Sequence, residues 1–359
     1  MADLIDYLTM VCEAGGSDLH LSAGAPPMVR VNGVLQPLVE EVVDATVCRD
    51  LVFGALKETQ RARLEHDWEL DFAINVENLG RFRGSACFAM GHVEATFRHV
   101  PDVIPELANL GHGPTVEGFC NEESGLILIT GTTGSGKTTT LASMIQKIAR
   151  ERGGSILSIE DPIEYVYEHH RGIVRQRQVG ADTQSFVHAL RGALRSDEDV
   201  IVIGEMRDLE TIRIAIAAAE TGHLVIATTH TTDASSTIAR ILDAFPGEVQ
   251  DYVSSQLAHS LLGVVCQHLI PRADVPGRVM ASEVMKNNPG ISSCIRQRRF
   301  SQLPGLIQIG GNEGMHTIDD SLSHLVRHGF ISLDDALVRC RDKSMIQQAH
   351  HEATRHLKK

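Results

Sequence analysis

Gly131-Thr132-Thr133-Gly134-Ser135-Gly136-Lys137-Thr138 is the stretch that decides the fold, because its pattern G-x-x-x-x-G-K-T is typical of a phosphate-binding loop. The apolar run 126–129 precedes the loop, and the run 141–145 after it can continue as a helix. When a strand, a loop and a helix follow one another, the backbone N–H groups of the loop and the positive end of the helix point at a bound anion. We therefore predict that this segment binds a nucleotide phosphate; the alternative is an accidental match in a glycine-rich turn.

The residues of this loop have distinct expected roles. Its glycines let the backbone turn towards phosphate oxygens, Lys137 reaches the β and γ phosphates, and the Thr138 hydroxyl can hold Mg²⁺. The predicted cofactors are therefore ATP or ADP and Mg²⁺, with ATP preferred to GTP because the chain has no N-K-x-D segment. The predicted nucleotide-binding residues of this segment are Gly131, Thr132, Thr133, Gly134, Ser135, Gly136, Lys137, Thr138 and Thr139.

The composition is that of an ordinary globular protein with room for two or three domains. Of the 359 residues, 43% are hydrophobic and 22% are charged. The net charge of −13 argues against a protein that coats nucleic acid, so no nucleic-acid partner is expected. No apolar stretch reaches the ~18 residues that cross a bilayer, and the amino terminus lacks a signal-peptide core. We therefore expect a cytoplasmic protein.

Two kinds of strand pattern divide the chain. The first hundred residues combine predicted helices at 4–14 and about 46–64 with strands around turns, which favours a small α+β domain with a mainly antiparallel sheet. After proline and glycine clusters at 101–114, continuous apolar runs alternate with helical segments, as in a doubly wound α/β domain with a mostly parallel sheet. The predicted parallel strands are 126–130, 155–160, 200–204 and 223–229.

These patterns predict an α/β fold class and a boundary in the first third of the chain. The expected organisation is a domain over 1–100, a linker over 101–117 and a domain over 118–359 that ends in a helical part. A hinge at the linker would let the two domains move as units.

Acidic residues follow two of the predicted parallel strands. Glu160 and Asp161 end the second strand, and Glu164 lies four residues beyond Glu160. Because ligands of open α/β sheets bind at the carboxyl ends of strands, these acids should face Mg²⁺ and phosphates. An acidic loop in solvent is the alternative. Glu205 ends the hydrophobic run 200–204 like a Walker B segment, so we predict that it is the catalytic base and helps to hold Mg²⁺.

Two histidines flank the last predicted parallel strand. His223 precedes the strand, and His230 follows it among four threonines, where a group that senses the γ-phosphate would lie. Most of the 18 histidines of the chain are expected to be ordinary surface residues, and that interpretation stays open for both. Neither has a partner at metal-ligand spacing, so no zinc site is predicted.

The four segments resemble the motifs of the secretion ATPase superfamily, which powers type II secretion and type IV pili. They correspond to Walker A at 131–138, an Asp box at 156–164, an atypical Walker B at 200–205 and a His box at 221–232. Within that superfamily, the chain is most similar to the type IV pilus retraction motors of twitching motility. The segments that carry this similarity are 17–24, 97–101, 204–213, 218–224, 230–232 and 314–319.

The resemblance implies a homohexameric ring of two-domain subunits, each with a PAS-like amino-terminal domain and a RecA-like ATPase domain. Such a motor hydrolyses ATP to drive pilus retraction. It docks on an inner-membrane platform protein, so its association with the inner face of the cytoplasmic membrane is peripheral and goes only through partners. Its implied metal-site residues are Thr138, Glu160, Asp161 and Glu205.

The resemblance also implies roles for the remaining candidates. Glu205 would be the base, with Glu160 and Glu164 assisting at the metal and water, while His223 and His230 would couple the phosphate state to a neighbouring subunit. Arginines of the first domain would bring positive charge to a nucleotide, although arginines on an exposed strand are commonplace. These arginines are Arg81, Arg83 and Arg98.

Two differences from the superfamily leave alternatives open. Retraction motors carry an Ala-Ile-Arg-x-Leu-Ile-Arg segment, whereas this chain has Gly-Ile-Ser-Ser-Cys-Ile-Arg at 290–296, with Ser292 in place of the first arginine. The zinc-binding tetracysteine of type II secretion motors is absent from the sequence. The alternatives are an accessory or assembly ATPase of a pilus or secretion system, and a catalytically idle, nucleotide-gated scaffold subunit.

Overall fold

A computed structural model describes residues 3–31, 33–100 and 103–356, which form two compact units. The amino-terminal unit holds the described residues of Met1–Val103 together with Pro162–Val166, and the carboxyl-terminal unit holds those of Ile104–Asp161 and Tyr167–Lys359. The short segment from the predicted Asp box therefore groups with the amino-terminal unit, which the sequence did not indicate.

Most of the predicted linker over 101–117 belongs to the carboxyl-terminal unit. Pro101 and Asp102 lie outside the described residues. From Ile104 onwards the chain belongs to the carboxyl-terminal unit, and it forms a 3₁₀ helix over Leu107–Leu110 and an α-helix that begins at Pro114. Leu107, between the proline and glycine clusters, is buried, so this stretch packs as part of a domain.

The amino-terminal unit is built on a six-stranded sheet with the order β3-β2-β1-β6-β5-β4. The sheet is antiparallel, as the sequence predicts. Its elements are α1 (Leu4–Glu13), β1 (Asp18–Leu21), β2 (Met28–Val31), β3 (Val34–Pro37), α2 (Ala45–Ala55), α3 (Glu58–Asp67), β4 (Glu69–Val76), β5 (Gly80–Ala89) and β6 (His92–Val100).

The single helix predicted over about 46–64 is wrong, because α2 and α3 are separate helices. Leu56 has the extended backbone conformation φ −96°, ψ 140°, which ends α2. Lys57 is extended as well, and its backbone N–H donates to Gln60 Oε1 at 2.9 Å, so α3 starts with its own capping contact.

The carboxyl-terminal unit is built on a seven-stranded sheet with the order β13-β12-β7-β11-β10-β8-β9, which is parallel except for the β12–β13 pair. The mostly parallel sheet is confirmed. Its strands are β7 (Gly125–Thr130), β8 (Gly154–Glu160), β9 (Gly172–Gln178), β10 (Val200–Ile203), β11 (Leu224–Thr229), β12 (Leu261–Pro271) and β13 (Arg278–Lys286).

Helices pack around this sheet, and those after β13 form the predicted helical part. None of the helices in the described ranges is both long and apolar enough to cross a membrane. The helices of this unit are α4 (Pro114–Phe119), α5 (Lys137–Glu151), α6 (Phe186–Ala193), α7 (Leu209–Glu220), α8 (Ala234–Asp243), α9 (Gln250–Ser260), α10 (Pro289–Arg296), α11 (Leu303–Ile309), α12 (Ile318–Arg327), α13 (Leu333–Leu337) and α14 (Lys343–His356).

The central parallel strands are buried on both faces. Every residue of β7, β10 and β11 is buried, which explains their continuous apolar sequence. Ile203 of β10 pairs with Ala227 of β11 and Ile159 of β8, so these neighbouring strands end in register. The loops that follow them therefore begin at the same edge of the sheet.

The core of the amino-terminal unit depends on a close approach between two strands. The buried rings of Phe72 and Phe97 meet edge to face, with centroids 5.8 Å apart. Gly84 on β5 pairs with Phe72 on β4, and a Cβ atom at Gly84 would lie 2.3 Å from Phe72 Cζ. The glycine leaves room for the ring.

Replacing Gly84 by alanine should therefore destabilise the amino-terminal unit. The added methyl group overpacks the core, which typically costs about 1–3 kcal/mol. We expect a lower midpoint in thermal unfolding for Gly84→Ala. The matched control is Gly54→Ala on α2, where no atom lies within 4 Å of the new Cβ and alanine favours the helix. An unchanged midpoint for Gly84→Ala would contradict the packing described here.

Candidate functional site

The candidate site lies at the carboxyl edge of the parallel sheet. The phosphate-binding loop follows β7, Asp161 follows β8, and Glu205 lies just beyond β10. His230 follows β11, which lies between β7 and β10 in the sheet. The structure thus brings the predicted loop, Asp161, Glu205 and His230 to one edge, together with Glu160 at the end of β8.

The loop itself needs its glycines. Gly131, Gly134 and Gly136 have φ angles of +147°, +79° and +91°, which residues with a side chain rarely adopt. A Cβ atom at Gly131 would also lie 2.5 Å from both Gln267 O and Ser135 Oγ. The first turn of the loop therefore fits closely against the backbone of β12.

Polar groups of the loop point towards the position of a phosphate. Lys137 Nζ donates to Gly131 O at 2.7 Å and to Thr132 O at 3.1 Å, which holds the ammonium inside the curve of the loop. Ser135 Oγ is buried and has no hydrogen-bond partner within the described part of the chain. Thr138 lies in the first turn of α5, with Thr139 beside it. A hydroxyl, an ammonium group and a helix amino terminus suit a phosphate group.

Glu205 is the centre of a compact ion-pair cluster. Arg207 Nε lies 2.6 Å from Glu205 Oε1, and Arg207 Nη2 donates to Oε2 at 2.7 Å, so the contact is bidentate. His230 Nε2 lies 2.8 Å from Oε1. Burial raises the pKa of Glu205, but the Arg207 and His230 contacts outweigh it and hold that pKa below the usual range. The carboxylate is therefore ionised at neutral pH.

Arg207 is a site residue that the sequence analysis did not assign. Its contact with Glu205 raises the pKa of the guanidinium, and the charge of Asp161 adds to that effect. The sequence contains a signal for the Glu205–Arg207 pair, because side chains two residues apart in an extended segment point to the same side. Glu205 and Arg207 have that spacing directly after a buried strand.

Glu160 is fixed by neighbouring side chains. It is only 5% exposed, and its Oε1 accepts hydrogen bonds from Ser158 Oγ at 2.7 Å and Gln176 Nε2 at 3.1 Å. Buried carboxylates need such donors, so the position of this acid is well defined.

Glu164 and the three predicted arginines belong to the amino-terminal unit. Arg83 Nη1 lies 3.3 Å from Glu164 Oε1, and Arg81 Nε donates to Ile163 O at 3.1 Å. Arg98 Nε donates to Oδ1 of the buried Asp18 at 2.7 Å. Each arginine thus has a partner in its own unit, and the role of these arginines at a nucleotide stays a prediction.

His223 lies away from the candidate site of its own chain. It precedes β11, and its Nδ1 lies 3.1 Å from Ala218 O. Since a strand rises about 3.3 Å per residue, the length of β11 separates His223 from His230 by roughly 20 Å. The two histidines therefore lie at opposite edges of the sheet, and their predicted coupling of the phosphate state to a neighbouring subunit stays a prediction.

A network of threonine hydroxyls ties the strand ends together. Thr130 Oγ1 contacts Thr231 Oγ1 at 2.7 Å, and Thr231 Oγ1 contacts Thr237 Oγ1 at 2.6 Å. Thr229 Oγ1 lies 3.1 Å from Thr231 Oγ1. This network connects the residue before the phosphate-binding loop with the start of α8, and the cluster of threonines in the sequence was its only signal.

The residues at this edge fit a Mg²⁺ ion that binds together with phosphates. Mg²⁺ in nucleotide sites takes one or two protein oxygen ligands, and phosphates and water supply the others. The Thr138 hydroxyl and the Glu160 carboxylate are suitable oxygen ligands at the same edge. Across residues 3–31, 33–100 and 103–356, no group of three or more His, Cys, Asp or Glu side chains forms a metal site by itself.

Comparison with protein families and curated proteins identifies clear relatives. The model of the Type II/IV secretion system protein family matches residues 2–327. The type IV pilus retraction ATPase PilT of Pseudomonas aeruginosa is 42% identical over 346 residues, which cover 96% of this chain and 99% of PilT. The type IV pilus ATPase PilU of the same organism is 39% identical over 330 residues, covering 92% of this chain and 86% of PilU.

Solved structures agree with these relatives. A crystal structure of the pilus retraction motor PilT with bound ADP is 41% identical in sequence and matches this fold with a TM-score of 0.90. The match covers 97% of this chain and all of the PilT chain.

Replacing Gly131 by alanine should weaken nucleotide binding. The Cβ atom would press on Gln267 O and Ser135 Oγ, and its strained backbone costs of order 1–3 kcal/mol. Because about 1.4 kcal/mol is a factor of ten in affinity, we expect roughly tenfold or greater loss, measured with a fluorescent ATP analogue. Gly118→Ala on α4, where nothing lies within 4 Å of the new Cβ, is the matched control. Equal affinity of the two variants would refute the predicted loop geometry.

Proposed function

The chain belongs to the Type II/IV secretion system protein family, and we propose that it is an ATP-hydrolysing motor that drives type IV pilus retraction. The observation that carries the ATPase assignment is the ionised Glu205 at the same sheet edge as a complete phosphate-binding loop. The retraction assignment is supported by the full-length similarity to a pilus retraction ATPase.

In this proposal the reaction is ATP + H₂O → ADP + phosphate. The loop backbone and Lys137 hold the β and γ phosphates, and Mg²⁺, which Thr138 and Glu160 would help to hold, would offset the charge of the phosphates. Glu205 accepts a proton from the attacking water as the water oxygen bonds to the γ-phosphorus and the bond to the ADP oxygen breaks. Arg207 and His230 hold the carboxylate in place before that step.

We further propose that the active form is a homohexameric ring. It would act at the cytoplasmic face of the inner membrane by docking on a pilus platform protein. In such a ring, a charged residue that has no role at the site of its own chain can act at the site of a neighbouring subunit. His223 and the arginines Arg81, Arg83 and Arg98 would then act there. This arrangement is supported by the family membership and by the position of His223 at the far edge of the sheet.

An accessory pilus ATPase is the second candidate, because two observations favour it. PilU matches the chain over most of its length, and the segment 290–296 differs from the retraction-motor pattern. In the structure this segment lies in α10, where Ser292 Oγ donates to Ala258 O at 2.9 Å and lies 3.0 Å from Asn287 Oδ1. Ser292 thus links α10 to the end of α9 by a hydrogen bond.

Replacing Glu205 by glutamine should abolish turnover while keeping the shape of the side chain. Loss of a general base typically costs 10²–10⁴-fold, so we expect about a hundredfold or greater loss of phosphate release by the purified protein. Thermal unfolding of the variant shows whether the fold is retained. Phosphate release as fast as in the wild type would rule out Glu205 as the base, and equally slow release by both proteins would support the idle scaffold.

The same variant tests the role in the cell. Deleting the gene should leave cells with surplus surface pili and no surface motility, and the wild-type gene, but not the Glu205→Gln gene, should restore motility. Cells without pili would instead indicate an assembly ATPase. Cells that retain motility with normal pilus numbers would favour the accessory role.

Replacing Arg207 by glutamine should change the pH dependence of turnover. Glu205 acts as a base only when ionised, and its pKa is lowered because Arg207 and His230 outweigh the effect of burial. Without the guanidinium the pKa of Glu205 rises, so the acidic limb of kcat/KM against pH should move to higher pH. Arg213→Gln is the matched control, because Arg213 is an exposed arginine on α7 that pairs with Glu210. An acidic limb at the wild-type pH would contradict this role of Glu205.

A further inference from the structure

A cavity of about 310 Å³ opens beside Glu205. It lies between the loop after β10, the end of β11 and the helix α8. Three of its lining residues carry or can carry positive charge: Arg207, His230 and Arg240. Its hydroxyl groups come from threonines at the end of β11 and on α8, namely Thr229, Thr231 and Thr237.

The charge of this lining is suited to an oxyanion. Glu205 is the single carboxylate among the residues that line the cavity, and its two oxygens already accept contacts from Arg207 and His230. Arg240 is an exposed residue in the last turn of α8, and no carboxylate in the described part of the chain lies within ion-pair distance of it. Arg240 is therefore a donor without a competing acid, and phosphate oxygens are usual partners of guanidinium groups.

One lining residue links the cavity to the end of the strand that precedes the phosphate-binding loop. Thr231 lines the cavity, and its Oγ1 lies 2.7 Å from Thr130 Oγ1, the side chain that precedes Gly131. Glu205, which would activate the attacking water, forms another part of the wall. The cavity thus shares Glu205 with the proposed site of cleavage.

We propose that this cavity holds the orthophosphate product after cleavage, with Arg240 as its main anchoring residue. The inference rests on the proposed ATPase function and names a second ligand position beside the nucleotide. In it, the Arg240 guanidinium donates to the phosphate oxygens, and phosphate leaves from this position.

Equilibrium binding of inorganic phosphate tests this site without requiring turnover. The full-length protein is saturated with ADP and Mg²⁺, and radiolabelled phosphate is added in equilibrium dialysis. We expect saturable binding of one phosphate per chain in the wild type. In Arg240→Gln the dissociation constant should rise about tenfold or more, because a hydrogen bond to a charged group is lost. Arg240→Lys, which keeps the charge but not the planar fork, should fall between the two.

Arg213→Gln again serves as the control, since Arg213 is exposed on α7 and does not line the cavity. It should bind phosphate as the wild type does. Absence of saturable phosphate binding, or equal binding by Arg240→Gln and the control, would overturn the proposed phosphate site. Phosphate release from ATP, measured separately for wild type and Glu205→Gln, decides the ATPase proposal, so the two ideas can fail independently.

Discussion

The parallel hydrogen bonding of β7, β11, β10 and β8 is the constraint on which the rest of the structure depends. Neighbouring strands of this kind end in register, and the chain must leave each of them at the same edge. The phosphate-binding loop, Asp161, Glu205 and His230 are far apart in sequence, yet each follows a strand that ends there. Burial of these strands on both faces makes the arrangement rigid, because slipping one strand would expose apolar side chains or leave backbone groups without partners.

At that edge, burial and nearby charges have opposite effects on the pKa of Glu205. Glu205 is largely buried, which by itself favours the protonated form, but Arg207 and His230 reverse that preference. Glu205 is therefore ionised, and these contacts hold its carboxylate in one orientation. If Glu205 is the proposed base, the groups that hold it also set its basicity. Glu205 lines the cavity at Arg240, and Thr231 of the same lining contacts Thr130 just before the phosphate-binding loop.

The sequence was sufficient for the features that depend on local pattern. The loop at 131–138, the buried strands and the position of Glu205 follow from short runs whose periodicity and glycine placement allow few other structures. Features that depend on distant partners were missed. Nothing near Arg83 in sequence indicates that Glu164 is its partner, and the break between α2 and α3 at Leu56 has only Gly54 near it as a signal.

The contact between Gly131 and the backbone of Gln267 ties the phosphate-binding loop to a strand that comes more than a hundred residues later. All four sequence motifs precede that strand, which begins at Leu261. A fragment that ended before β12 would therefore carry every signature by which such proteins are recognised and yet lack one wall of the loop. For chains of this kind, the presence of the motifs in a truncated gene or an isolated fragment is not evidence that the fragment binds nucleotide.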